Sequence, residues 1–170
     1  MFAIVKDGAI TKTGPSLRGL FPNVSFPASG PDNDWKTSEG VKEIVQGIRK
    51  DQKYYFVTEG NLTLVDGVPT QAYTNTAKRL TDETIDGVVN QGLKSVMTEQ
   101  VKVTANRLLS NTDWMVIRKA ERDVAIPSAT VTYRAAVITE CTRLESAIAG
   151  AADVDALETV MAAQNWPTES

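Results

Sequence analysis

The strongest constraint in this 170-residue sequence is a row of apolar side chains spaced four apart. Ile85, Val89, Leu93, Met97, Val101 and Ala105 follow one another at steps of four, and Leu108 follows at a step of three. An α-helix has a period of 3.6, so this spacing keeps them on one face. Val88 and Val96 widen the stripe. Thr81 suits the helix start, because its hydroxyl accepts from an unpaired N–H, and Asp82 and Glu83 then sit at the positive end of the helix dipole. The segment closes on Leu108 and Leu109 and stops at Ser110, Asn111 and Asp113, whose short polar side chains compete with helical hydrogen bonds. One long helix over 81–109 is expected, roughly 43 Å at about 1.5 Å per residue. Gly87 and Gly92 would each cost it about 1 kcal/mol relative to alanine, so close packing or partner contact is expected there. So long a rod overhangs what a chain of this size can place around it, and part of its stripe is expected to face a partner.

Before Thr81 the apolar period is two. Phe2–Val5 and Ala9–Thr13 flank Asp7-Gly8, a two-residue turn signal for a β-hairpin. Residues 14–35 are interrupted by Pro15, Pro22, Pro27 and Pro31, which exclude them from a sheet interior; Phe21, Val24 and Phe26 can pin this segment to a neighbouring surface, and 32–40 suits a short helical turn. Val41–Ile48 reads as a strand, as does Tyr54–Thr58, rich in β-branched and aromatic residues. Glu59-Gly60-Asn61 reads as a turn, Leu62–Val65 as a strand, Asp66-Gly67 as a second Asp-Gly turn, and Val68–Thr76 as the last strand. The period changes near residues 78–81, which predicts a β-rich domain over 1–80 and a helical module over 81–170.

After the long helix, Trp114–Asp123 alternates in charge and reads as a connector. Pro127 suits the first turn of a second helix, with Val131, Ala135, Ile138, Cys141 or Thr142, Leu144 and Ile148 on one side, ending at Gly150. Asp153 caps a third helix carrying Val154, Leu157, Val160 and Met161. The fold class expected is α+β: a small N-terminal antiparallel β meander followed by a long helix and two shorter C-terminal helices.

Reactive chemistry finds little support. Histidine, the commonest general base and metal ligand, is absent. The single cysteine, Cys141, has no base to activate it and lies in a helical pattern, where it acts as a small apolar residue. No phosphate-binding glycine motif occurs. Asp32 and Asp34 could in principle hold calcium, but the rest of a calcium loop is missing and a solvated turn is favoured. Hydrophobic residues make up 42% and charged residues 23%, which is a globular composition. The net charge of −3 gives no overall attraction to nucleic acid or acidic membranes. No apolar run reaches the ~20 residues of a membrane span, and the start shows no secretory leader. Arg118, Lys119 and Arg122, interleaved with Glu121 and Asp123, suit a solvated surface better than a nucleic-acid patch. Trp35, Trp114 and Trp166 each adjoin polar, flexible sequence; each either plugs a domain edge or anchors a partner, as tryptophan often does at binding hot spots.

One ordered set of motifs is distinctive: Asn106-Arg107-Leu108-Leu109, then Thr112-Asp113-Trp114, then Thr132-Tyr133-Arg134, then Trp166-Pro167. Over about the last third of the chain it resembles the C-terminal module of bacteriophage tail-fibre assembly proteins, also called tail assembly chaperones. The starting hairpin M-x-A-I-V-x-D-G and the later L-V-D-G-V are similar to leaders on some of these proteins. The resemblance implies a non-catalytic accessory protein, without cofactor or metal. It would bind a phage tail-fibre or other tail protein in the host cytoplasm and assist its folding and oligomerisation, in some cases staying on the virion tail. The alternative is a permanent structural component at a fibre or baseplate joint. The expected contact set is Ile85, Val89, Leu93, Met97, Val101, Leu108, Trp114, Tyr133, Arg134 and Trp166, with a homo-oligomer through the long helix as a further partner arrangement.

Overall fold

The structure, a computed structural model, describes residues 1–169 and is an α+β fold. Strands β1 (Phe2–Lys6) and β2 (Ala9–Gly14) form an antiparallel hairpin. Asp7 and Gly8 turn it with φ of 52° and 73°, both in the left-handed region that this turn demands. Two short helices follow, α1 (Leu17–Leu20) and α2 (Asn33–Ser38). Asp32 Oδ1 caps α2 by accepting from the Trp35 N–H at 2.7 Å, so this carboxylate serves a helix start. Trp35 meets Phe21 and Phe26 edge-on, with ring centroids 4.9 and 5.1 Å away, and so pins the proline-rich segment; Val24 remains exposed. Strand β3 (Val41–Glu43) returns antiparallel to β1, giving the order β2-β1-β3.

The other N-terminal strands form a separate sheet rather than continuing one meander. β4 (Val45–Gln46), β5 (Tyr55–Val65) and β6 (Val68–Ala77) lie in the order β4-β6-β5, and β4 runs parallel to β6, with Val45 opposite Thr70. The turn expected at Glu59-Gly60-Asn61 is absent. Gly60 stays extended within β5, and its carbonyl accepts from the Gln71 side-chain amide at 2.6 Å. The turn at Asp66-Gly67 is present, with φ of 51° and 75°.

The chain divides into two units, Met1–Thr76 and Ala77–Ser170. The second does not begin with a helix. Residues expected to start the long rod instead form a third hairpin, β7 (Glu83–Ile85) and β8 (Val88–Asn90), paired antiparallel with Ile85 opposite Val88. Its turn is again Asp-Gly, with Asp86 at φ 51° and Gly87 at φ 78°. Gly87 is therefore not a weak point in a helix but the residue that closes a turn. The helix proper, α3 (Leu93–Ser110), has 18 residues. The longest helix is the next but one, α5 (Ser128–Gly150), with 23 residues.

Trp114–Asp123 is not a connector but the body of α4 (Asp113–Arg122). Its alternating charges fall at helical spacing: Lys119 Nζ lies 2.5 Å from Asp123 Oδ1 four residues on, and Asp123 ends the helix at φ 55°. The last helix, α6 (Val154–Ala162), starts as expected, with Asp153 Oδ1 accepting from the Ala156 N–H at 2.8 Å.

The core of the second unit forms where α3, α5 and α6 meet. Leu93, Met97, Val101 and Ala105 of α3 are buried, with Tyr133, Val137, Leu144 and Ile148 of α5 and Val154, Leu157 and Met161 of α6. α3 and α5 run antiparallel: Tyr133 Oη and Arg134 Nη1 donate to the Leu108 and Leu109 carbonyls, and at the other end Lys94 Nζ donates to Ala149 O. The buried face of α5 is therefore 133, 137, 140, 144 and 148, while Val131, Ala135 and Ile138, expected inside, are exposed. α5 carries apolar residues all round, so the spacing allowed more than one face, and α3 selected among them.

The start of α3 explains Gly92. The first N–H groups of a helix lack intrahelical acceptors. Here Leu93 N and Lys94 N donate to Arg79 O and Leu80 O, each at 3.0 Å, and Gly92 N donates to Asp82 Oδ1 at 2.7 Å. The hairpin base thus folds against the helix end so tightly that a Cβ on Gly92 would overlap the Thr81 backbone. Gly92→Ala is expected to lower unfolding stability by about 1–3 kcal/mol, the range for forced overpacking, in a denaturant titration, whereas Gly150→Ala, where a Cβ meets nothing within 4 Å, is expected to be neutral or stabilising.

Candidate functional site

The ten residues expected to form one contact surface separate into three groups. Leu93, Met97, Val101 and Tyr133 are buried in the helical core, and Leu108 is partly buried beside it. Their spacing marks a core stripe, and α5 and α6 use it up. Arg134 and Trp166 lie at the edge of that core. Ile85, Val89 and Trp114 are exposed.

Arg134 holds a helix junction together. Its Nη1 donates to Leu109 O at 2.8 Å and Thr112 Oγ1 at 2.7 Å, and its Nη2 pairs with Asp113 Oδ1 at 2.9 Å. Thr112 is itself buried. One guanidinium thus satisfies the end of α3 and fixes the first turn of α4, a geometry that a planar fork of donors serves well.

Trp166 packs against the cluster of Ala105, Tyr133 and Val137, and its indole Nε1 donates to Gln164 Oε1 at 2.8 Å. A carboxylate with no counterpart in the sequence reading holds it there. Glu140 lies on the buried face of α5, where a charge is costly unless fully paired. It accepts from Arg143 Nε and Nη2, both at 2.7 Å, and from the Asn165 N–H at 2.8 Å. Arg143 Nη2 also donates to Ala163 O at 3.0 Å. The pair ties the chain after α6 back onto α5. The Arg143 hydrogen bonds, which outweigh the opposing effect of burial, together with the Asn165 N–H hold the Glu140 carboxyl below its usual 4.5. No spacing rule announces this role, because Glu140 reads as an ordinary polar residue between apolar ones.

The exposed group has two parts. In the β7–β8 hairpin Ile85, Val88 and Val89 are 50%, 62% and 59% exposed, although β-branched side chains normally seek cover. Ile85 and Val88 are paired on one face, and Val89, opposite Thr84, belongs to the other, so neither face is covered. Among the described residues the ribbon has two strands, so each has an outer edge without a neighbouring strand. Its base is well fixed. Arg79 pairs with Glu83 and donates to Asn90 O at 3.1 Å, and Asp82 accepts from Gly92 at the mouth of α3. The Gly92 N–H, followed by a hydrogen bond from Ser95, lowers the Asp82 pKa. Asp82 is thus the acid of a helix start, as its type suggested, but for a helix whose N-cap, Gly92, lies ten residues later.

The second part is α4, none of whose residues is buried. Trp114, Val116 and Ile117 are exposed, and the Arg118 guanidinium lies over the Trp114 ring at 4.8 Å. Beside it, α3 and α5 border a cavity of about 230 Å³ lined by Ala105, Leu109, Ile138, Cys141 and Thr142, with Lys102 and Asn106 at its rim. Burial, with Glu145 nearby, pushes the Cys141 thiol up, so it is a poor nucleophile at neutral pH.

Among the described residues no group of three His, Cys, Asp or Glu side chains gathers to hold a metal ion, and no helix is long and apolar enough to cross a membrane. No protein-family model, curated protein or solved structure matches the chain.

Glu140→Ala is expected to destabilise the second unit by about 2 kcal/mol, the scale of charge-assisted hydrogen bonds lost from a buried site. The sign follows from the lowered pKa: the folded state binds the Glu140 proton more weakly than the unfolded chain. Its contribution is therefore present above the usual 4.5 and fades as pH falls from there through the lower folded value. In melts across that range, wild type and Glu140→Gln are expected to differ at neutral pH and to converge in acid.

Proposed function

We propose that this protein is a non-catalytic phage tail-fibre or tail assembly accessory factor that works by binding the strand-rich surface of an unassembled fibre or tail protein. The observation that carries this reading is the β7–β8 hairpin, clamped at its base while Ile85, Val88 and Val89 face solvent. A two-stranded ribbon is marginal alone in water. Fixed to a helix and left uncovered, it is suited to adding strands and apolar cover to another β structure. Fibre subunits expose apolar and strand-edge surface before they associate. The ordered motifs around Trp114, Tyr133, Arg134 and Trp166, similar to those of tail-fibre assembly proteins, supply the partner class.

Of the original contact set, Ile85 and Val89 belong to the binding ribbon, with Val88 added. Tyr133, Arg134 and Trp166 shape the scaffold at the other end of α3. The site of action is the host cytoplasm during assembly, with release before the particle is complete. Retention as a structural tail component is the second outcome. A mass-spectrometric census of purified particles separates them, since a retained component appears in fixed ratio to the tail proteins.

Co-expression with the fibre or tail protein of the same virus, followed by pull-down, tests the binding itself. Wild type is expected to retain the partner and raise its soluble yield. The double substitution Ile85→Asp and Val88→Asp is expected to weaken retention at least about tenfold, the effect of losing a central apolar anchor, with an unchanged thermal melt. Equal retention by both proteins would remove the hairpin from the mechanism.

A further inference from the structure

We propose that two copies of this chain associate about a two-fold axis, each placing α4 in the groove between α3 and α5 of the other. This inference concerns a different surface from the β7–β8 hairpin and stands apart from the fibre-binding reading.

The chain carries both halves of a helix-in-groove contact and does not join them. α4 has an apolar side in Trp114 and Ile117, three residues apart and about half exposed, yet buries no residue. On α5, Val131, Ala135 and Ile138 recur at steps of four and three as an uncovered stripe. That stripe leads to the cavity at Ile138, Cys141 and Leu109, whose roughly 230 Å³ leaves room for one large side chain. α4 leaves its own groove open: Arg134 holds Thr112 and Asp113 at the helix start, and no α4 residue lines the cavity.

A second copy is the occupant that covers both halves at once. Asp113 and Arg134 bring the start of α4 beside the α5 face that carries the stripe, since 131, 134 and 138 share a helical face. A two-fold axis near this junction lets each α4 leave its own chain and enter the other, the reciprocal arrangement of an isologous dimer. The area is adequate. The exposed parts of Trp114, Val116, Ile117, Val131 and Ile138 amount to roughly 500 Å² per copy, or about 1,000 Å² for the pair, near the lower limit for a specific interface. The rim is mixed in charge, with Lys102 and Glu145 3.8 Å apart, and α4 brings both signs in Arg118 and Glu121. An interface near this lower limit is expected to be a weak one, so its population should depend on concentration.

Cys141, the only cysteine, lines the groove and reports on the pairing. Sedimentation of the full chain is expected to show a monomer at about 1 μM and a dimer at about 100 μM. Ile138→Asp in the groove and Ile117→Asp on α4 are each expected to weaken association at least about tenfold; both positions are exposed, and if one variant misfolds the other carries the test. In a mixture of the Ile117→Cys, Cys141→Ser double variant with size-tagged wild type, mild oxidation is expected to give a mixed disulfide between the two. A monomer at about 100 μM, a dimer indifferent to both aspartates, or the absence of that mixed disulfide would each overturn the proposal.

Discussion

The helical unit depends on the antiparallel contact of α3 with α5. It takes Leu93, Met97, Val101 and Ala105 out of water and sets them against Tyr133, Val137, Leu144 and Ile148. Because this stripe is consumed internally, it cannot be the adhesive surface. What remains outside is set by which residues that contact leaves over: the β7–β8 ribbon before α3, α4 after it, and the side of α5 turned away from the core. Arg134 and Glu140 then lock this arrangement, one at the α3–α4 junction and one at the chain that follows α6.

The polar locks matter because the apolar contact alone leaves the unit underdetermined. α5 has apolar residues around its circumference, and a rotation of about one residue would present Val131 and Ile138 inward. The buried Glu140–Arg143 pair resists that rotation, since turning the two outward together would abandon the Asn165 N–H and the Ala163 carbonyl and release Trp166. This is one way a charged residue can fix a single packing at some cost in desolvation.

Much of the architecture was legible. Asp7-Gly8 and Asp66-Gly67 marked their turns, Asp153 marked the start of α6, and the stripe from Leu93 to Ala105 marked an apolar helix face, though that face is covered by α5 and α6 and not left for a partner. At 81–92 the helical period masks a turn signal. Asp86-Gly87 is the same turn signal as the other two, but Ile85 and Val89 happened to extend the step of four. Three residues on each side of a turn are too few for their alternation to outweigh a helical rhythm already established downstream. α4 was hidden for the opposite reason, its charges being dense enough to look like a linker until they are counted at intervals of four. For the candidate site, Ile85, Val89 and Trp114, expected by type in the contact set, are exposed, whereas Tyr133 and Trp166, expected there too, are packing residues. Glu140 and the Val131–Ile138 face could not be separated from the core by spacing alone.

The junction between the ribbon and α3 has a mechanical consequence. Its hydrogen bonds run from the first turn of α3 into Arg79, Leu80 and Asp82, and Gly92 leaves no slack against Thr81. A pull on the ribbon tip therefore cannot be absorbed by a flexing linker. It loads the helix end directly, so any tug strong enough to displace the ribbon also strips the first N–H groups of α3 of their acceptors.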